Sequence, residues 1–268
     1  MKLKKLLKEL TPPIALKLAA KKPAYGFFGN YRDWAEAKAD SRGYDYAEIL
    51  EKVRGATLMV RDGRVAYERD SVTFDKKQYS WPVLASLLWI ASQHDDKLNV
   101  LDFGGSLGSS YFQNIDFLKH LSELRWNVVE QKNFVEVGRK DLAGEHLHFF
   151  ASIEDCLKDS RPHALLASSV IQYLEKPYEW LEKLISYGFE YIIFDRTAFF
   201  ADKDRLTVQK VRPGIYDASY PAWFLNEKKF NAIIEKEYKL IADFPSLRGE
   251  IMTEDMTAAE KGSTWRKR

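Results

Sequence analysis

Cysteine is nearly absent. Cys156 is the only one in 268 residues, so no disulfide can close within the chain and no cysteine-built zinc cluster can form. Neither sign of charge is in excess: 41 Lys and Arg stand against 39 Asp and Glu, a formal net charge of +2. Recognition of a phosphate backbone calls for clustered basic residues, which such a balance does not supply. No apolar run approaches the ~18 to 20 residues needed to cross a bilayer, and the N-terminus lacks the apolar block and small-residue cleavage site of a secretory signal. Internal repeats and low-complexity tracts are missing too. These absences point to a reducing, cytoplasmic setting and to partners other than nucleic acid. What is present, 46% hydrophobic and 30% charged residues, is ordinary for a globular chain with a real core. The length suits one α/β domain with an extension.

Histidine offers little for a metal. Of His94, His120, His146, His148 and His163, only His146 and His148 lie close in sequence. They flank the start of a predicted strand, the wrong end for a site in an α/β sheet, so no catalytic metal is expected.

The chain is organised around Leu98-Asn99-Val100-Leu101-Asp102-Phe103-Gly104-Gly105-Ser106-Leu107-Gly108. An apolar run too short for a helix ends in an acid, and a glycine-rich bend then leads into helical spacing from Ser109. Residues without Cβ let the backbone take positive φ and let a ligand approach the main chain. The helix behind the bend aims its unpaired amides at whatever lies above the sheet. By itself such a bend is equally well a plain strand-to-helix turn. The next predicted strand, Trp126-Asn127-Val128-Val129-Glu130, adds an acid about 20 residues on, the offset at which a carboxylate accepts both hydroxyls of a ribose.

At these residues the sequence resembles the class I S-adenosylmethionine-dependent methyltransferases, whose first motif is an acid followed by a spaced glycine loop. Ser106 stands where that family has its middle glycine, and Gly105 is an additional one. LDFGGSLGSSYFQN, WNVVEQ, IQYLEKPYEWLEKL and ASYPAW are similar to a methyltransferase-like family found among bacterial surface-polysaccharide genes, over roughly residues 25 to 245. The resemblance implies an α/β fold: a doubly wound, mostly parallel, seven-stranded sheet over residues 80–268, whose last strand is antiparallel. It also implies S-adenosylmethionine as cofactor and a small molecule or glycan precursor as acceptor. Gly104, Gly105, Ser106 and Gly108 would then pass under the adenosyl and methionine parts, with Asp102 on the methionine amino group and Glu130 on the ribose. Ser152 would meet the adenine edge, where many members carry Asp, and Ser168 and Ser169 would line the same pocket.

Methyl transfer from a sulfonium is an in-line displacement from an already activated group, so a base is needed only where the acceptor must lose a proton early. The strand ends offer Gln172, Tyr173, Asp195 and Arg196 as candidates facing the acceptor. Gln172 occupies a place where several small-molecule methyltransferases have histidine, and glutamine cannot act as a base. Tyr173 suits packing or catalysis, and Arg196 an anionic acceptor or a structural ion pair. Two other readings stay open: a methyltransferase-like fold kept as a binding module, and a nicotinamide-dependent oxidoreductase or epimerase. The second is disfavoured by the glycine spacing and by the lack of a Tyr-x-x-x-Lys pair.

Residues 1–79 are expected to be an extension packed on this core. Leu3, Leu6, Leu7 and Leu10 among lysines predict a basic helix, either packed on protein or resting on an anionic membrane at the inner face. Tyr25 to Tyr31 is an aromatic stretch that suits either a cofactor roof or core packing. A helix is expected over Tyr44–Val53. The Asp62-Gly63 pair between apolar runs predicts a hairpin over Thr57–Tyr67, followed by a charged link at Glu68 to Asp70. Ser80 is a candidate N-cap for a helix with Pro82 in its first turn. Tyr216 to Trp223 is expected to be an aromatic loop.

Overall fold

The computed structural model describes residues 24–43, 46–253 and 257–268. The expected N-terminal basic helix lies outside them. No helix among the described residues is long and apolar enough to cross a membrane.

β1 (Gly26–Tyr31) leads into α1 (Trp34–Ala39), where Asp33 caps the helix by accepting the Glu36 amide. α2 (Tyr46–Arg61) takes up Thr57–Arg61, the first arm of the expected hairpin. The cause is a buried stripe, Ile49, Leu50, Val53, Ala56 and Thr57, that keeps helical spacing. Gly63, at φ 69°, ends the helix: its amide bonds the Val60 carbonyl and the Arg64 amide bonds the Met59 carbonyl, the two bonds of a Schellman stop. A hairpin does form, one step later and inside the expected charged link. It is β2 (Tyr67–Arg69) paired with β3 (Val72–Phe74), turned by Asp70 and Ser71 at positive φ. α3 (Trp81–Ser92) follows, with Pro82 in its first turn. Ser80 stands at its N-cap without a side-chain bond, because its backbone (φ −78°, ψ 85°) leaves the extended geometry that a capping serine adopts.

The chain then alternates: β4 (Lys97–Phe103), α4 (Ser109–Leu118), β5 (Glu123–Val129), α5 (Lys132–Asp141), β6 (Leu147–Phe150), α6 (Ile153–Asp159), β7 (Ala164–Ser168), α7 (Pro177–Ser186) and β8 (Tyr191–Phe200). The five strands are parallel in the order β6-β5-β4-β7-β8. β9 (Arg205–Lys210), β10 (Ser219–Asn226), α8 (Glu227–Ile234), β11 (Tyr238–Met252) and β12 (Thr257–Lys267) complete it. β12 runs antiparallel along β8, and β11 pairs outside it. This is the doubly wound, mostly parallel α/β architecture, with seven strands from β6 to β11.

Along each buried strand successive side chains go to opposite faces. Val100, Leu166 and Ile193 join α2, α3, α4 and α5 on one side, while Leu101, Leu165 and Ile192 join α6, α7 and α8 on the other. Three further strands extend the sheet. β8 outruns β7, and its last residues, Phe199 and Phe200, pair with Leu225 and Asn226 of β10; β9 and then β1 follow, both antiparallel. The expected aromatic loop is therefore mostly strand β10. Pro221 sits within it, although proline argues against a strand read from sequence.

Candidate functional site

The strand order reverses between β4 and β7, and in an open α/β sheet ligands bind beyond the carboxyl ends at that point. The register puts five residues there in one row. Ser168 lies opposite Asp195, Asp102 opposite Leu166, Phe103 opposite Val129 and Val129 opposite Phe150. One residue on, the row reads Asp195, Ser168, Gly104, Glu130, Ala151. Neighbouring strands are about 4.8 Å apart, so the glycine bend starts beside the carboxylate-bearing residue of the next strand. The Gly104 amide bonds the Val129 carbonyl at 2.9 Å and the Glu130 amide bonds the Phe150 carbonyl at 3.1 Å.

The bend owes its glycines to close packing. A Cβ on Gly104 would lie 2.5 Å from a Val170 methyl, and one on Gly105 2.5 Å from the Asp102 carboxyl carbon. Gly104, Ser106 and Gly108 all have positive φ, 69°, 55° and 91°. Ser106 thus takes up the left-handed conformation that glycine usually supplies. Asp102 lies beneath the loop, and its buried carboxylate accepts the Trp126 indole N–H at 3.0 Å. Burial pushes its pKa up to about 7.

Glu130 is partly buried, and burial raises its pKa as well. Among the described residues its carboxylate accepts one hydrogen bond, from the Gln131 amide at 2.6 Å. Capacity for further donors remains, since a carboxylate has about four lone-pair positions. The Ser152 hydroxyl is occupied, capping α6 by accepting the Asp155 amide.

On the other side of the switch, β8 carries a bulge. Thr197 opposes Lys261 and Phe194 opposes Ser263, so Asp195 and Arg196 together face Gly262. Arg196 has φ 50°, a left-handed conformation in a strand that costs about 1–2 kcal/mol for a residue with Cβ. It falls where β8 has lost β7 and not yet gained β10. Its carbonyl is satisfied instead by the Gln172 side-chain amide at 2.9 Å. Gln172 therefore holds the bulge. Tyr173 is partly buried, donates to Gln209 Oε1 at 2.8 Å and packs edge-on against Tyr220.

Ser168 Oγ donates to Asp195 Oδ2 at 2.8 Å and accepts from Arg196 Nε at 3.2 Å. Burial opposes the charge on Arg196, but Asp70, Asp195, Tyr67 and Glu260 around it raise its pKa. Its charge is thus compensated within the protein.

The hairpin supplies residues that no sequence pattern marks. Glu68 is 1% exposed, and its carboxylate accepts the Ser109 hydroxyl at the start of α4 and the Ser71 amide at 3.3 Å. Burial lifts its pKa to about 7. Tyr67, lifted by burial to about 12, lines a cleft with Arg69, Ser110, Asn114, Ser168 and Asp195. In the sequence Glu68 is followed directly by Arg69 and Asp70 and looks like part of an exposed charged link.

The histidines serve other ends: His94 and His163 stack with ring centroids 4.0 Å apart, and His146 Nδ1 lies 3.1 Å from the Leu124 carbonyl. Among the described residues no three His, Cys, Asp or Glu side chains are placed to hold a metal ion together.

The sequence matches no described protein family and no curated protein. Several solved structures have a similar fold. The N-terminal domain of EvdMO1, determined in the presence of SAH and D-fucose, is 13% identical over 85% of this chain and 100% of that chain, with a TM-score of 0.47. Magnesium protoporphyrin IX methyltransferase (ChlM) from Synechocystis, with bound SAH, is 12% identical over 84% of this chain and 100% of that chain, TM-score 0.45. An S-adenosylmethionine-dependent methyltransferase from Clostridium acetobutylicum is 7% identical over 69% of this chain and 90% of that chain, TM-score 0.43. Matches this distant say nothing of the chemistry.

Proposed function

We propose that this chain binds S-adenosylmethionine and methylates a small molecule or a glycan precursor. One observation carries the reading: the glycine bend and Glu130 stand side by side on neighbouring parallel strands at the point where strand order reverses. An antiparallel last strand against β8 is the further mark of the methyltransferase sheet.

The residues fit the group. Glu130 has unused acceptor capacity where two ribose hydroxyls would lie. Gly104, Gly105, Ser106 and Gly108 form a tight bend in which three of the four positions lack a Cβ, so its main chain can be approached closely. Asp102 acts from below, fixing the bend against Trp126. Ser168 stands between the bend and Asp195, and Ser152 holds α6 beside the adenine edge. When bound, the cofactor supplies an activated methyl group. The chain's part is to orient the acceptor and exclude water.

Calorimetric titration tests this. S-adenosylhomocysteine is expected to bind and NAD to fail. Glu130→Ala should weaken S-adenosylhomocysteine by about 1–3 kcal/mol, the cost of lost charged hydrogen bonds. Unchanged affinity would remove Glu130 from the site, and preferential NAD binding would reverse the choice of cofactor.

A further inference from the structure

The cleft under the hairpin has unpaired acceptors and compensated cations. Asp195 is 5% exposed and Asn114 1% exposed, and both line it. Asp195 Oδ2 accepts from Ser168, but among the described residues Asp195 Oδ1 is buried without a partner. Asn114 donates its amide to the Ser110 carbonyl at 2.8 Å, which fixes the orientation and leaves Asn114 Oδ1 buried and, among the described residues, without a partner as well. A buried acceptor with no donor is costly, and two in one cleft call for a group that brings donors.

The charges agree. Arg196 and Arg69 are the basic groups, against Asp195 in the wall and Asp70 and Glu260 facing Arg196. Three carboxylates already face Arg196, so an anionic ligand must compete with them for that cation. An ammonium or a set of hydroxyls finds two unused acceptors.

Resting on the cofactor reading above, we infer that this cleft is the acceptor subsite and that it selects a donor-rich group, an amine or polyol, over an anionic one through Asp195 and Asn114. As it stands the cleft has room for about one water (≈ 10 Å³). Its roof is the β2–β3 hairpin, tied to α4 through Glu68 and Ser109, and a sugar-sized group enters by displacing that roof.

The test uses the full chain saturated with S-adenosylhomocysteine and titrated with D-glucosamine, D-glucose and D-glucuronate, three rings of similar size and different charge. Glucosamine is expected to bind at least about tenfold more tightly than glucuronate, as charged hydrogen bonds to a buried carboxylate allow. Asp195→Asn should erase that difference while S-adenosylhomocysteine still binds. If Asp195→Asn does not fold, Asn114→Leu removes the second acceptor while keeping the branching of the side chain and should weaken glucosamine and glucose alike. Equal or tighter binding of glucuronate overturns the inference, as does binding of none of the three, which would leave the acceptors to an ordered water only. A parallel loss of S-adenosylhomocysteine in Asp195→Asn overturns it too, by placing Asp195 with the cofactor. Failure of the unaltered chain to bind S-adenosylhomocysteine sinks the cofactor reading itself, whereas bound S-adenosylhomocysteine without sugar selectivity sinks the subsite alone.

Discussion

Gly105 and Asp102 show how tightly the bend is built. The added methyl of Gly105→Ala would meet the Asp102 carboxylate, which is itself buried and held by Trp126. Neither neighbour is the free end of a flexible side chain. The variant should lose about 1–3 kcal/mol, as overpacked cores do, measured by urea denaturation, and an unchanged midpoint would mean the carboxylate has room to move. Trp126→Phe probes the same contact from the other side. It leaves a buried carboxylate without its donor, at about 1–3 kcal/mol, and adds the cost of the cavity left where the larger indole was fully buried. Residues of this kind were partly legible in sequence. Glu130 could be found because a fixed spacing links it to the bend. Glu68 could not, since it reaches α4 from outside the alternating strand and helix units, and nothing local separates a buried acid from a surface one. Arg196 was legible as a strand-end cation, but two of the carboxylates around it, Asp70 and Glu260, come from the hairpin and β12.

At the scale of elements, two glycines of α2 make opposite predictions. Gly55 lies exposed within the helix with nothing within 4 Å of a built Cβ, whereas Gly63 has equal space but φ 69°. Gly55→Ala should stabilise by about 0.5–1 kcal/mol, because alanine loses less backbone entropy in a helix interior. Gly63→Ala should destabilise by about 1–2 kcal/mol from the left-handed backbone alone. Denaturation of the two variants in parallel checks both, and like signs would contradict a helix that stops at Gly63. A left-handed glycine after an aspartate serves a hairpin and a helix stop alike, and only the stripe from Ile49 to Thr57 separates them. β4 to β8 were legible because strands buried on both faces are plain apolar runs. β10 was not, because its Pro221 and mixed aromatics imitate a loop.

For the whole molecule, the buried carboxylates make stability depend on pH in an unusual direction. Glu68 and Asp102 are both lifted by burial to about 7, and Glu130 and Asp195 shift upward for the same reason. Unfolded carboxylates titrate near ~4. Between ~4 and ~7 the folded chain therefore keeps protons that the unfolded chain releases, and this contribution is complete below ~4 and lost as pH rises towards ~7. Two groups oppose it. His148 and His163, lowered by burial, weaken the fold as pH drops below their ordinary ~6.5. Asp116 and Asp155, lowered first by hydrogen bonds from Lys77 and Ser152, lose their contribution only as pH falls below ~4, and both are exposed enough for water to screen them. A difference between variants isolates the buried acids from these. Glu68→Gln keeps the side-chain shape and cannot ionise, so relative to the unaltered chain it should gain stability between pH 5 and pH 8, read from urea midpoints at the two values. Asp102→Asn should gain in the same sense. A gap between variant and unaltered chain that is the same at both pH values would mean that neither acid titrates in that window, and that the hairpin and the glycine bend meet water more freely than their packing implies.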